Sequence, residues 1–318
     1  MEKTLAVLPG YLVNAINAGA IDNFKIILLS IVLEALPFVL LSVFVSAVLH
    51  NFVSDTTIQK IIPRNKWLSI IPATLLGLLF PVCDCGMVAI VRRLVTKGVP
   101  LHTAIAFMLA SPIINPVVAL STAFAFRTNP SMVILRLGVA FLVACLISFF
   151  ISIIFTRSQL RRGNSNFKGC GCHQDSHDLP SKRTLIAKLG YTIRDAGGEF
   201  FDMGKYLIVG AMLGAGAQVL LPRTLLTSVG LDPVVSIGAM LAFAFFISVC
   251  SSADSFIAAS FVTSFSPGSL VAFMVFGPMM DLKNTLMLLQ SFRFRFVVWL
   301  LLTTTCLCAI AAYLINLL

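Results

Sequence analysis

The stretch FPVCDCGMVAIVRR, Phe80–Arg93, decides how the fold of this chain is interpreted. Two cysteines flank an aspartate just after a proline, an apolar run leads into this cluster, and two arginines close it. Ionisable groups at membrane depth are costly and usually functional. The stretch therefore predicts the tip of a hairpin that turns back inside a membrane, with Cys83, Asp84 and Cys85 at the turn.

The composition is that of a polytopic membrane protein. The 318 residues are 58% hydrophobic and 11% charged, and the mean hydropathy is +0.97. Runs such as Ile26–Leu49, whose only charge is Glu34, reach the about 20 residues that cross a bilayer. The net charge of +10 is concentrated in loops between these runs. That pattern reports membrane orientation and argues against a nucleic-acid-binding face.

The apolar segments fall into two sets of five, and the predicted fold class is all-α. The first segment is broken by Pro37, and the fourth of each set is interrupted, by Ser111–Pro116 and by Gly277–Asp281. The predicted regions are an N-terminal interfacial segment (1–23), membrane repeat 1 (24–155), a basic connector (156–194) and membrane repeat 2 (195–318). The segments are Phe24–Val48, Leu68–Val82, Gly86–Val91, Thr103–Phe126, Met132–Phe155, Phe200–Leu221, Pro233–Cys250, Ala253–Ser264, Ser269–Gln290 and Phe296–Leu317.

Matching residues indicate that the two sets arose by tandem duplication. The matches occur in one order and at a nearly constant offset of 166 to 168 residues, which is not expected by chance. The matches are Glu34 with Asp202, Ser69–Ile71 with Ser236–Gly238, Val82-Cys83 with Val249-Cys250, and Phe107-Met108 and Pro112 with Phe273-Met274 and Pro278. The last match puts Asn115 opposite Asp281.

Charge predicts that the two repeats are inverted relative to each other. The connector is rich in Lys and Arg, so the positive-inside rule places it in the cytoplasm and both termini outside. The turn after the first hairpin, Arg92–Lys97, is basic, whereas its counterpart, Ser264–Gly268, is neutral. The two hairpins are therefore expected to enter the membrane from opposite faces.

Length predicts that the hairpins are short or re-entrant. Gly86–Val91 is only six apolar residues before Arg92. At about 1.5 Å per residue, such an arm cannot cross about 30 Å of hydrocarbon. Two hairpins from opposite faces would bring Cys83-Asp84-Cys85 and Cys250-Ser251-Ser252 together near the midplane. Inverted repeats, interrupted helices and midplane sites are features of secondary transporters.

The hairpin tips and interrupted helices supply the predicted substrate site. Thiolates prefer soft cations and thiophilic metalloids, which favours ligation, although a buried cysteine is also a small hydrophobe. An unwound helix frees carbonyls and polar side chains for a substrate, and the alternative is a structural kink. The predicted substrate-binding residues are Cys83, Asp84, Cys85, Asn115, Cys250, Ser251, Ser252, Asp254 and Asp281.

Several of these acidic residues have a second interpretation. Ser251–Asp254 fits a capping box, with Ser251 as the cap and Asp254 at the third helical position. Lys283 either neutralises Asp281 or lies at the cytoplasmic interface. The predicted proton- or ion-coupling residues are Glu34 and Asp202, at equivalent places in the two repeats.

The connector contains a separate cluster of thiols and imidazoles, at Gly169–Asp178. Its spacing supplies ligands for zinc or another transition metal, and the alternative is a disordered linker that holds thiols. A cytoplasmic location argues against a stable disulfide. No other cofactor is expected. The predicted ligands are Cys170, Cys172, His173 and His177.

The motifs together resemble those of a known family. FPVCDCG with the following RRL, ASPIINP, VCSSADSF and FGPMMD resemble the predicted permeases related to the organoarsenical efflux permeases. The resemblance implies a multi-helix inner-membrane permease. In the characterised branch, trivalent organoarsenicals are exported through cysteine ligation, which would assign Cys83, Cys85 and Cys250 to the substrate. Many members resemble halves of two-component permeases, so a second subunit is an expected partner.

The expected function is that of a permease, not an enzyme, in the inner or plasma membrane. It would move a thiophilic metalloid, soft metal or related small solute by alternating access. Two alternatives stay open: a membrane thiol oxidoreductase that uses Cys83 and Cys85, and a metal-responsive membrane subunit that depends on the connector. No G-x-x-x-x-G-K-[ST] loop is present, so ATP-driven transport would need a partner. The expected partners are the lipid bilayer, the solute and a second permease subunit, with no nucleic acid.

Overall fold

The computed structural model describes residues 18–52, 66–77, 84–127, 129–155, 159–160, 185–220 and 233–317. Within these ranges the chain is helical, apart from turns and one bridge between Leu160 and Phe292. The all-α class is thereby confirmed for the described residues. The helices are α1 (Ala18–Phe52), α2 (Lys66–Leu76), α3 (Asp84–Thr96), α4 (Leu101–Ala110), α5 (Pro116–Ala125), α6 (Ser131–Ile154), α7 (Leu185–Leu220), α8 (Pro233–Ile247), α9 (Ala253–Ser260), α10 (Pro267–Met279), α11 (Leu282–Ser291) and α12 (Phe294–Leu317).

The helices of the second half follow the order and packing of the first. Helices α7 to α11 begin 166 to 169 residues after α1 to α5, and α12 begins 163 residues after α6. Helix α4 contacts α2 and α6, and α10 contacts α8 and α12 in the same way. Across the halves, α3 contacts α11 and α9 contacts α5. Each hairpin therefore lies against the interrupted helix of the other half.

Corresponding hydrogen bonds also recur. Ser69 Oγ lies 2.9 Å from Thr103 Oγ1, between α2 and α4. In the second half, Ser236 Oγ lies 2.8 Å from Ser269 Oγ, between α8 and α10. Both contacts are buried, where a hydroxyl group needs a partner. The serine matches found in the sequence therefore mark equivalent helix contacts.

The core is built around α4 and α10, which contact each other. Every residue of Leu101–Ala110 and of Gly268–Met279 is buried. The outer helices expose large apolar side chains, such as Ile134 (74% exposed) and Phe201 (71%). Three described helical stretches are long and apolar enough to span a membrane: Ile21–Ser46, Ser131–Ile154 and Phe294–Leu317. The chain is therefore a multi-pass membrane protein, and the exposed apolar side chains of its outer helices face lipid, not water.

The fourth segment of each half is interrupted, as predicted. After α4 the chain turns through Ser111–Asn115, and Asn115 Oδ1 accepts a hydrogen bond from Val117 N (2.9 Å) to begin α5. Asp281 Oδ1 begins α11 in the same way by accepting from Asn284 N (2.6 Å). The second break is narrower than predicted, because α10 continues through Gly277 and Pro278 to Met279.

Four boundaries differ from the sequence-based prediction. Pro37 lies inside α1 without breaking it, since a proline in a membrane helix is tolerated when neighbouring groups compensate. Residues 18–23 are helical and form the start of α1, and residues 1–17 of the predicted N-terminal segment lie outside the described residues. The last ten residues of the predicted connector, 185–194, belong to α7. Helix α3 continues past the six apolar residues to Thr96, because Arg92 and Arg93 are compatible with a helix.

The second arms of both hairpins remain short. Helix α3 has 13 residues and α9 has 8. At about 1.5 Å per residue they measure about 20 Å and about 12 Å, less than the about 30 Å of a hydrocarbon core.

Helices α7 and α11 approach each other closely at Gly210. A Cβ atom at this position would lie 2.9 Å from Lys283 Cα, which is closer than van der Waals contact permits. On the same helix, a Cβ atom at Gly216 would meet nothing within 4 Å. The absence of a side chain at Gly210 therefore sets the distance between α7 and α11.

We predict that Gly210→Ala lowers thermal stability in detergent, whereas Gly216→Ala leaves it unchanged or raises it. Overpacking costs about 1 to 3 kcal/mol, and replacing a helical glycine contributes at most about 1 kcal/mol. Melting of the two purified variants, followed by intrinsic fluorescence, checks the difference. Equal melting temperatures would contradict the close approach of the two helices.

Candidate functional site

The candidate site surrounds the turn between α8 and α9, Ser248–Ser252, which we call the second tip. Ser248 has a positive φ of 49°, which is uncommon for a residue other than glycine. Backbone carbonyls buried in such a turn need donors from elsewhere. Side chains from three helices supply them at three carbonyls: Gln218 to Ile247 O (2.5 Å), Lys283 to Ser248 O (2.5 Å) and Arg136 to Ser251 O (2.8 Å).

Arg136 is the most deeply buried cation in the described structure, with 1% of its surface exposed. It extends from α6, and its Nη1 donates to Thr122 Oγ1 on α5 (2.9 Å) and Ser255 Oγ on α9 (2.6 Å). Its Nη2 donates to Ser251 O in the second tip (2.8 Å), and Nε has no partner. Arg136 thus joins α5, α6 and α9 through hydrogen bonds to neutral oxygens.

Asp254, in the first turn of α9, is also 1% exposed. Its Oδ2 has no hydrogen-bond partner, and a Cβ atom at Gly277 would lie 3.3 Å from it. The carboxyl group interacts electrostatically with Arg136, Asp281, Lys283 and Glu34. Asp254 is therefore central to a cluster of charges contributed by four helices.

Lys283 and Asp281 form a buried ion pair at the start of α11. Lys283 Nζ lies 3.7 Å from Asp281 Oδ2, and it also donates to Ser248 O. Of the two interpretations of Lys283, neutralisation of Asp281 is the one that the structure confirms. The pair combines a helix cap with a contact to the second tip.

Residues of the first hairpin and of α1 lie close to the same cluster. Asp84, the first residue of α3, is buried and interacts electrostatically with Arg136, as does Cys250. Glu34 on α1 is exposed, yet it acts electrostatically on both Cys250 and Asp254. The starts of α3 and α9 therefore face the same buried arginine.

The capping box expected at Ser251–Asp254 is wrong. Ser252 is the N-cap residue of α9, and its side chain makes no capping bond. Its Oγ lies 3.2 Å from Cys250 Sγ instead, and Cys250 O accepts hydrogen bonds from the amides of Ala253 and Asp254. The backbone turn begins the helix here, so neither serine hydroxyl is needed as a cap.

The remaining predicted site residues are Asn115 and a group that lies outside the described residues. Asn115 is buried and caps α5. Within the described ranges, no three metal-ligating side chains come together. The residues outside are Cys83, Cys170, Cys172, His173 and His177, together with the side chains of Cys85 and Asp202.

Sequence reasoning did not single out Arg136, although a signal was present. It is the only charged residue in the apolar segment Met132–Phe155, where an ionisable residue indicates function by the same argument that selected Glu34. The duplication does not reproduce it, since residues 299–302 of α12 are Trp-Leu-Leu-Leu. At the offset of 167, Asp254 corresponds to Met87. The charged cluster is therefore confined to one of the two equivalent positions.

The arrangement suits the binding and release of a small charged species. Two cations, Arg136 and Lys283, donate to carbonyls of the second tip, and the carboxyl groups of Asp254 and Asp281 lie near these cations. A change of charge on one of these groups alters the free energy of keeping the others charged, because electrostatic interactions are strong in a region of low dielectric constant.

Comparison with known proteins agrees with a transport role. Residues 20–317 match the ArsP_1 family model, which describes a predicted permease. The UPF0718 protein YcgR of Bacillus subtilis is 44% identical over 271 residues, which cover 85% of this chain and 89% of the relative. A Streptococcus mutans protein named "Putative two-component membrane permease complex subunit" is 38% identical over 271 residues, covering 85% and 87%.

No solved structure matches the chain. The family match covers all the described helices that form the site. The expected resemblance to the predicted permeases is confirmed, and the chain belongs to the ArsP_1 family of predicted permeases.

Proposed function

We propose that this chain is the transport subunit of a secondary-type permease, whose solute passes between the hairpin ends and the interrupted helices. The observation that carries the proposal is the buried charge cluster of Arg136, Asp254, Asp281 and Lys283 around a non-helical turn. Ionisable residues inside a membrane domain are costly and mark transport pathways. Non-helical backbone at this depth is tolerated only where protein or a cavity surrounds it.

We propose further that the two halves are inverted repeats with re-entrant hairpins. The short second arms of α3 and α9 and the reciprocal contacts between hairpins and interrupted helices support this arrangement. Arg293 N donates to Gln159 O, which places the start of the connector beside the basic turn before α12. Both carry the positive charge expected at the cytoplasmic face, and this leaves both termini outside.

The proposed solute is a thiophilic metalloid, a soft metal or a related small species. Cys250 is half-buried at the second tip, beside Ser252 and within electrostatic reach of Glu34. Cys83 and Cys85 in the first hairpin would complete a thiol site, with Ser251 as a further contact. The connector residues Cys170, Cys172, His173 and His177 would hold a zinc or other transition-metal ion in the cytoplasm.

A second permease subunit is the proposed partner. The Streptococcus mutans relative bears the name of a subunit of a two-component permease complex. Within the present chain, Glu34 on α1 interacts electrostatically with Cys250 and Asp254 and is a proposed coupling residue. Asp202, at the equivalent place in α7, is the second proposed coupling residue.

We predict that replacing Cys83, Cys85 and Cys250 by serine lowers transport of a thiophilic solute by more than about tenfold. Loss of a ligand worth about 1.4 kcal/mol already gives that factor. The measurement is uptake of trivalent arsenicals or soft metal ions by vesicles that contain the purified chain and its partner subunit. Cys306, exposed on α12, provides the matched control as Cys306→Ser. Full transport by the triple variant would exclude thiol ligation.

We also predict that Arg136→Gln abolishes transport and destabilises the protein. Removing one partner of a buried charged network costs about 3 to 5 kcal/mol, and Ser251 O would lose its donor. Arg127→Gln is the control, because Arg127 is exposed beside Phe124 at the end of α5. Vesicle transport and detergent melting are measured on both variants. Equal loss in both would show that neither arginine has a specific role.

A further inference from the structure

We propose that Asp254 binds the coupling proton of the permease, and that loss of this proton releases the second tip from Arg136. The inference rests on the proposed transport function, but it assigns the proton to a group other than Glu34 and Asp202. It also connects protonation to a change in structure.

The first observation is the isolation of the Asp254 carboxyl group. It is 1% exposed, and its Oδ2 has no hydrogen-bond partner among the described residues. No ion pair joins it to Arg136 within that part of the chain. A buried charged group without a partner is among the most costly features of a protein. The free-energy difference between the acid and the carboxylate therefore depends strongly on what the neighbouring groups do.

The second observation is that Lys283, the other cation near Asp254, already has partners of its own. Lys283 is paired with Asp281 and donates to Ser248 O. Glu34 is exposed on α1. Asp84 on α3 and the Cys250 thiol interact with Arg136. Arg136 is consequently the cation available to a charged Asp254, and its guanidinium Nε has no partner.

The third observation is that Arg136 binds the element that carries Asp254. Its bonds to Ser255 Oγ and Ser251 O hold the start of α9, and its bond to Thr122 Oγ1 holds α5. While Asp254 is a neutral acid, it does not compete with these oxygens for the guanidinium. The tip is then fixed against α5 and α6.

Release of the proton changes this balance. The O–H bond of the carboxyl group breaks, the proton passes to a water molecule of the proposed solute pathway, and a carboxylate remains. This carboxylate attracts Arg136, whose Nη groups leave Ser255 Oγ and Ser251 O for an ion pair. Both partners of that pair are charged, and in a region of low dielectric constant their attraction exceeds that of the guanidinium for a neutral oxygen. The tip, with Cys250 in it, becomes free to move. No electron transfer is involved.

Infrared difference spectroscopy tests the proton site directly. The purified protein in lipid nanodiscs is compared in mildly acid and mildly alkaline buffer, and the C=O band of a protonated carboxyl group is recorded. We expect Asp254→Asn to lose the band, Asp281→Asn to retain it, and Asp254→Glu to shift it. A band that is unchanged in Asp254→Asn and Asp254→Glu would overturn the proposal. If Asp254→Asn does not fold, the shift in Asp254→Glu decides.

Labelling of Cys250 tests the structural consequence. The thiol is alkylated with an uncharged maleimide at one mildly alkaline pH, and its rate is measured by mass spectrometry of the peptide. Asp254→Asn imitates the protonated form, so we expect slower labelling, by severalfold, because the tip stays bound to Arg136. Removal of a nearby negative charge would by itself favour the reactive thiolate and speed labelling. Equal or faster labelling in Asp254→Asn would therefore overturn the release step.

The two proposals fail in distinguishable ways. Vesicle transport without an Asp254-dependent infrared band would refute the proton site and leave the permease function intact. An Asp254-dependent band in a chain that moves no solute would support the proton site and refute the permease function.

Discussion

The structure depends on one constraint, which is that backbone carbonyls buried at membrane depth must find donors. The second tip interrupts a helical path, so its carbonyls lose their usual partners within a helix. Gln218, Lys283 and Arg136 supply donors from α7, α11 and α6. The non-helical turn can therefore exist only while these three helices stay in place around it.

The same donors create the electrostatic character of the site. A hydrogen bond from a charged donor contributes about 1.5 to 3 kcal/mol, so the bonds of Lys283 and Arg136 hold the tip firmly. Their charges need compensation in turn, and Asp281 provides it for Lys283 at 3.7 Å. Asp254 lies near Arg136 without pairing with it. Structural support and charge balance are thus provided by the same few side chains. For this reason the proposed solute pathway is assigned to the second tip.

The fold was largely predictable, because hydropathy and the duplication act over long stretches. The serine matches at Ser69 and Ser236 proved to be equivalent buried contacts, and Asn115 and Asp281 proved to be equivalent helix caps. Local details were harder. A helix can contain Pro37 when neighbouring helices compensate, and the start of α9 is set by backbone bonds to Cys250 O, not by a serine side chain.

The site was predictable in part. Repeat matching drew attention to residues that recur, such as Cys83 with Cys250, whereas Arg136 has no counterpart and was missed. Its partners Thr122, Ser251 and Ser255 are separated from it by 14 to 119 residues in sequence. Contacts over such distances arise from the packing of α5, α6 and α9, which no local pattern reveals.

The one-sided placement of Arg136 and Asp254 would make the proposed transport cycle asymmetric. In a transporter of two equivalent halves, the inward-open and outward-open forms exchange the roles of the halves and would be equally populated. In the proposed cycle the exchange would put Met87 in the place of Asp254 and an uncharged stretch of α12 in the place of Arg136, so the two forms would differ in free energy. Each 1.4 kcal/mol of that difference changes their ratio about tenfold. In that cycle the empty protein would rest mainly with one side open, and binding of the solute or of the coupling proton would have to change this balance.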